Sequence, residues 1–171
     1  MYDWGKQTTD SFVSQVVKLC RELQIDVVAG PVLSGAVMSA AIAAFASAND
    51  YALRAMLLSK CGGKYEPSKH YGGVRSLYAQ KVISESRFIV VDDITSSGES
   101  IIHSANEITT HWPDSTIVAI ICGHYWAKTP RRLIRGLFPS IRLYSFCEVD
   151  LMLNDITLPQ GDANGTLDSQ P

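Results

Sequence analysis

The stretch Phe88-Ile89-Val90-Val91-Asp92-Asp93-Ile94-Thr95-Ser96-Ser97-Gly98-Glu99-Ser100 decides the fold of this chain. Its first four residues are apolar and three of them are β-branched, which predicts a strand buried on both faces. Two aspartates stand at the carboxyl end of that strand. A turn of small hydroxyl residues follows, and beyond Gly98 the apolar positions Ile101, Ile102, Ala105 and Ile108 fall at helical spacing. The order is strand, acidic pair, small-residue turn, helix N-terminus. In an open α/β sheet ligands bind at such carboxyl ends, and the free backbone N–H groups of a helix N-terminus hold a phosphate.

Each residue type in the stretch has a chemical reason. Side chains as small as Ser96, Ser97 and Gly98 let a phosphate approach the backbone, and the hydroxyls of Thr95, Ser96, Ser97 and Ser100 add donors. Adjacent carboxylates repel unless something pairs with them: a sugar diol donating two hydrogen bonds, or a divalent cation. A phosphate beside a diol describes a ribose 5-phosphate. Two other readings fail on context. The magnesium-binding strand of a P-loop NTPase needs a G-x-x-x-x-G-K-[ST] loop upstream, and there is none; a response-regulator acidic pocket would follow the first strand. A simple helix cap at Asp93 or Thr95 does not need two carboxylates, three hydroxyls and a glycine.

On these residues the stretch resembles the phosphoribosyl-pyrophosphate (PRPP) signature of the type I phosphoribosyltransferases. A second unit supports it. Ile25 to Gly30 reads as a short buried strand, running through Gly30-Pro31-Val32-Leu33-Ser34-Gly35 into the Ala-rich helix Ala36–Ala48. It resembles the family's pyrophosphate-binding loop, and is most similar to the orotate branch, although Ser34 stands where that branch often has lysine. The resemblance implies a three-layer, doubly wound, mostly parallel five-stranded α/β sheet in the order 2-1-3-4-5, with a flexible lid loop and a reduced hood. The two loops then face one another across the switch point of the sheet.

By the same resemblance Asp92 and Asp93 hold the ribose hydroxyls of PRPP and contact Mg²⁺ only indirectly, through PRPP or water. Thr95, Ser96, Ser97, Gly98, Glu99 and Ser100 complete the PRPP site; Leu33, Ser34, Gly35 and Lys60 bind pyrophosphate. Tyr51–Leu58 reads as the second strand, and the aperiodic Gly- and Lys-rich segment 59–73 as the lid. Lys60, with Lys69 (or Lys64) on the lid and His70 nearby, is expected to act on the leaving group, so the catalytic set is Lys60, Lys69, Asp92 and Asp93. Tyr125 or Trp126 would stack on a nucleobase, with His124 beside them; aromatic packing under the last helix is the alternative. Ser96 replaces the aspartate that the 6-oxopurine branch has there, which argues against hypoxanthine or guanine. No arginine matches the one that receives the orotate carboxylate.

Thr9–Leu23, Thr116–Cys122, Thr129–Leu137 and Ile141–Phe146 read as helix, strand, helix and strand, with Cys20 and Cys122 as small core residues and His103 and His111 at the surface. At 171 residues and 46% hydrophobic content the chain has enough apolar material for one core, expected over residues 1–158 with a tail at 159–171. A net charge of -2 gives no field for nucleic acid or an anionic membrane. The four scattered cysteines and the absence of a basic, apolar leader at Met1-Tyr2-Asp3-Trp4 lead us to expect a cytoplasmic protein. The activity expected is transfer of ribose 5-phosphate from PRPP to a nucleobase with Mg²⁺, by a homodimer. The other class is a PRPP-sensing protein that keeps the pocket without turnover.

Overall fold

The computed structural model describes residues 6–31, 33–61, 64–67, 85–93, 97–123, 128–145 and 148–149. The elements are α1 (Lys6–Glu22), β1 (Val27–Pro31), α2 (Ser34–Ala48), β2 (Arg54–Cys61), β3 (Lys64–Pro67), β4 (Arg87–Asp92), α3 (Glu99–His111), β5 (Thr116–Cys122), α4 (Lys128–Leu137) and β6 (Arg142–Ser145). They build one sheet in the order β3-β2-β1-β4-β5-β6. Five strands are parallel and, counted among themselves, run 2-1-3-4-5 as the sequence predicts. The sixth, β3, is an antiparallel edge strand, with Lys60 opposite Tyr65 and Cys61 opposite Lys64.

That hairpin corrects part of the expected lid. Segment 59–73 has no apolar alternation, yet β2 continues through Ser59, Lys60 and Cys61 and turns back along itself. Backbone pairing along a free sheet edge does not require an alternating pattern, so periodicity misses it. The remaining boundaries move by a few residues, as helix and strand ends do.

Alternation within the strands sorts the core into two faces. Val27, Ala29, Phe88, Val90, Ile120 and Cys122 pack with Ile101, Ala105 and Ile108 of α3 and Ile134 of α4. Val28, Ile89, Val91, Ala119 and Ile121 face the other way, onto the α1 stripe of Phe12, Val13, Val16, Val17 and Cys20 and onto Ile42 and Ala46 of α2. Between β4 and β5 the register slips at Phe88/Ile89, so that Phe88 pairs with Ile117 and Ile89 with Ala119. Val118 is the extra residue, which is why Ile117 and Ile120 share a face despite their odd spacing. Burial of β4 on both faces matches its uninterrupted apolar run.

Helix α1 stops by a left-handed residue that is not glycine. Gln24 has φ 52°, and Ile25 N–H donates to Cys20 O at 2.9 Å while Gln24 N–H donates to Arg21 O at 3.1 Å. These are the 6→1 and 5→2 bonds of a Schellman ending. The single proton of the Tyr51 hydroxyl is shared between the carbonyls of Cys20 and Ile25, tying the start of β1 to the segment before β2.

Candidate functional site

The crevice lies where β1 and β4 run side by side. From β1 the chain crosses to β2 on one side; from β4 it crosses to β5 on the other. The helices α2 and α3, which come after these strands, therefore cover opposite faces, and the two strand ends open between them. This is the switch point of a doubly wound sheet.

Two glycines bring the walls of the crevice together. A Cβ on Gly30 would lie 2.0 Å from the carbonyl oxygen of Gly35, and a Cβ on Gly35 would lie 2.6 Å from the carbonyl oxygen of Val91 and 2.7 Å from Pro31 Cδ. No side chain fits at either place, so the first turn of α2 rests directly on the end of β4. That contact delivers Ser34 to the acidic pair. Its hydroxyl donates to Asp93 Oδ1 at 2.7 Å and lies 3.3 Å from Asp92 Oδ1. Ser34 is the first residue of α2; the N-cap before it is Leu33, which is exposed and makes no side-chain cap bond.

The two carboxylates occupy different environments. Asp92 is only 6% exposed, whereas Asp93 is half-buried. Burial pushes the Asp92 carboxyl up to about 6, and the negative charge of Asp93 adds to the rise. The backbone N–H of Asp93, donated to Asp92 Oδ1 at 3.0 Å, and the Ser34 hydroxyl oppose it. Behind the pair, Gly123 N–H donates to the Asp92 carbonyl at 2.7 Å, and the Cys122 thiol lies 3.6 Å from the Asp93 carbonyl. A Cβ on Gly123 would meet Met38 Cε at 3.3 Å, so the end of β5 closes in from that side.

Gly98 begins α3 in the left-handed region, at φ 81°. A Cβ there would reach Pro130 Cβ at 3.0 Å and Ile134 Cδ1 at 3.3 Å. Glycine is needed twice over, for the conformation and for the close approach of α4. The N-cap offers no side-chain oxygen to the first turn, although Glu99 N–H donates to Ser97 Oγ at 3.3 Å. Ser97 and Glu99 are exposed and Ser100 is half-buried.

The structure thus brings together Ser34, Gly35, Asp92 and Asp93, and sets the Ser97–Ser100 turn at the start of α3. Lys60 is the penultimate residue of β2, and Lys64 begins β3. Lys69, His70, Thr95, Ser96, His124, Tyr125 and Trp126 lie outside the described residues, as does the expected boundary at 158/159. Sequence reasoning missed the Ser34–Asp93 bond and the packing roles of Gly30, Gly123, Met38 and Pro130. The glycines on either side of Pro31–Ser34 were the available signal for the first. Among the described residues no group of three or more His, Cys, Asp or Glu is arranged to hold a metal. No described helix is long and apolar enough to cross a membrane.

No protein-family model and no curated protein matches the sequence. Solved structures do resemble the fold. Adenine phosphoribosyltransferase from Saccharomyces cerevisiae superposes with a TM-score of 0.59 at 14% identity, over 83% of this chain and 80% of that one. Orotate phosphoribosyltransferase from Mycobacterium tuberculosis, solved with PRPP, gives 0.58 at 15% identity over 86% and 78%. Orotate phosphoribosyltransferase from Aeropyrum pernix gives 0.58 at 14% over 88% and 78%. The sheet order, the switch-point crevice and these superpositions agree: the chain has the fold of the type I phosphoribosyltransferases.

Proposed function

We propose that the protein transfers ribose 5-phosphate from PRPP to a nucleobase with release of pyrophosphate. The observation that carries this reading is the acidic pair Asp92–Asp93 at the end of β4, held against the first turn of α2, with the Gly98 start of α3 next among the described elements. In this reading the pair accepts hydrogen bonds from the 2′- and 3′-hydroxyls, and the segment from Thr95 to Ser100 holds the 5-phosphate at the start of α3. A base nitrogen attacks C1′ as the bond from C1′ to the pyrophosphate oxygen breaks, and the electron pair leaves with pyrophosphate. The transition state carries positive charge on the ribose, which a nearby carboxylate stabilises, and negative charge on the leaving group. Lys60 at the end of β2 and Lys69 act on that leaving group, and the α2 turn Leu33–Gly35 lies beside it. Magnesium bound with PRPP would neutralise part of the leaving-group charge.

Tyr125 and Trp126, which come after β5 in sequence, are our candidates to stack on the nucleobase, and an orotate-like pyrimidine is the first base to try. We further propose a cytoplasmic homodimer without nucleic acid or membrane partners. The exposed apolar pair Leu33 (79%) and Val37 (63%) at the outer start of α2 supports an association of that kind.

A second reading has one observation in its favour. Ser34 carries no charge toward pyrophosphate, and its hydroxyl is already engaged by the acids. A chain that binds PRPP but turns over slowly, as a sensor, fits that feature. One assay separates the two: pyrophosphate release from PRPP and Mg²⁺ against orotate, uracil, adenine, hypoxanthine, guanine and xanthine, with thermal shift by PRPP alone in parallel. Turnover with one base establishes the transferase and its substrate. A shift without turnover establishes the sensor, and neither signal removes both.

A further inference from the structure

We infer that Ser34 is a positioning residue for the acidic pair rather than a ligand of pyrophosphate. The inference rests on the proposed PRPP site. A serine hydroxyl has one proton to donate. Here that proton goes to Asp93 Oδ1 at 2.7 Å, with Asp92 Oδ1 at 3.3 Å as the nearest alternative. The hydroxyl sits against both carboxylates, and the Asp93 N–H to Asp92 Oδ1 bond at 3.0 Å closes the arrangement.

Backbone packing brings Ser34 to the acidic pair. Ser34 stands between Leu33, the N-cap of α2, and Gly35, whose missing Cβ lets the helix start touch the Val91 carbonyl one residue before Asp92. The side-chain bonds of Ser34 run to the acidic pair, at 2.7 Å to Asp93 Oδ1 and 3.3 Å to Asp92 Oδ1. Two adjacent carboxylates at one strand end repel each other. A donor fixed between them by main-chain packing keeps both oriented into the crevice before a diol arrives. An uncharged donor also leaves the pair its negative charge, which a lysine at this position would neutralise.

The test separates the two halves of PRPP. Ribose 5-phosphate carries the diol and the 5-phosphate; inorganic pyrophosphate with Mg²⁺ carries the other end. Calorimetric titration of the wild type, Ser34→Ala and Ser34→Thr with each probe reads the role directly. Loss of Ser34 should weaken ribose 5-phosphate by about tenfold, the scale of one hydrogen bond to a charged group. Pyrophosphate affinity should stay unchanged, and Ser34→Thr, which keeps the hydroxyl, should restore ribose 5-phosphate binding. Weakened pyrophosphate, equal weakening of both probes, or no change in either overturns the inference.

A ligand-free cycle keeps it testable even if the wild type binds neither probe, a result that would defeat the transferase and sensor readings alone. Melting temperatures of Ser34→Ala, Asp93→Ala and the double variant should be less than additive, because either single change already removes the bond. Strict additivity would show that Ser34 and Asp93 are not coupled and would overturn the inference by itself.

Discussion

Replacing Asp92 with asparagine should make the protein more stable at neutral pH while removing its ligand. The reasoning starts from the carboxyl, 6% exposed and pushed from 3.8 up to about 6 by burial and by the charge of Asp93. A folded-state pKa above the unfolded one means that the protein holds the proton more tightly than the unfolded chain. The corresponding stability is fully present below about 3.8 and is lost as pH rises through about 6. A shift of that size corresponds to about 3 kcal/mol in full, and to about 1–2 kcal/mol once solvent around the crevice is allowed for. Asparagine does not ionise. Its carbonyl oxygen still accepts from the Asp93 N–H, and its amide can donate to the Asp93 carboxylate. For a domain of this size the gain is about 3–6 °C in melting temperature above pH 7. Thermal melts of wild type and Asp92→Asn from pH 4 to 8 should coincide at the acid end, diverge steadily between about pH 4 and 6, and run parallel above. A difference independent of pH, or a variant less stable than wild type at pH 7.5, would refute the account of Asp92 as a carboxylate held at a cost for function.

The double change Asp92→Asn with Asp93→Asn should abolish PRPP binding in a calorimetric titration while the circular dichroism spectrum stays native. Gly35→Ala places a Cβ 2.6 Å from the Val91 carbonyl oxygen, so it should destabilise by about 1–3 kcal/mol and weaken PRPP by moving Ser34, read by melting and titration together. Gly98→Ala meets both the left-handed φ of 81° and Pro130 at 3.0 Å. It should cost about 1–2 kcal/mol in a denaturant melt from the conformation alone.

Much of the fold was written in patterns that only depend on neighbours along the chain. The uninterrupted apolar run Phe88–Val91 announces a strand covered on both sides, and Thr116–Cys122 repeats the signal; both are strands with those limits or nearly so. The acidic pair was legible for the same reason: carboxylates directly after a buried run have no structural use for their charge. The features that escaped depend on partners distant in sequence. The edge strand Lys64–Pro67 is specified by backbone pairing with Leu58–Cys61, which no side-chain period encodes. The part of Ser34 in the site depends on a residue 59 positions away. Read locally, Ser34 could only be one more small residue in a βα turn.

That long-range bond also changes how the missing lysine is understood. As a gap in a motif, Ser34 reads as a loss of charge toward pyrophosphate and so as evidence against turnover. In the folded chain the same position is not vacant: the glycine contacts press it onto Asp92 and Asp93, where a hydroxyl fits and bonds. A cation there would form an ion pair with the very carboxylates that the diol needs as acceptors, trading ribose recognition for pyrophosphate contact. In the proposed reaction, leaving-group charge would then be met by Lys60, which stands near the end of β2, and by Lys69. The absence of lysine at position 34 therefore does not by itself argue against catalysis; it moves the question to Lys60 and Lys69.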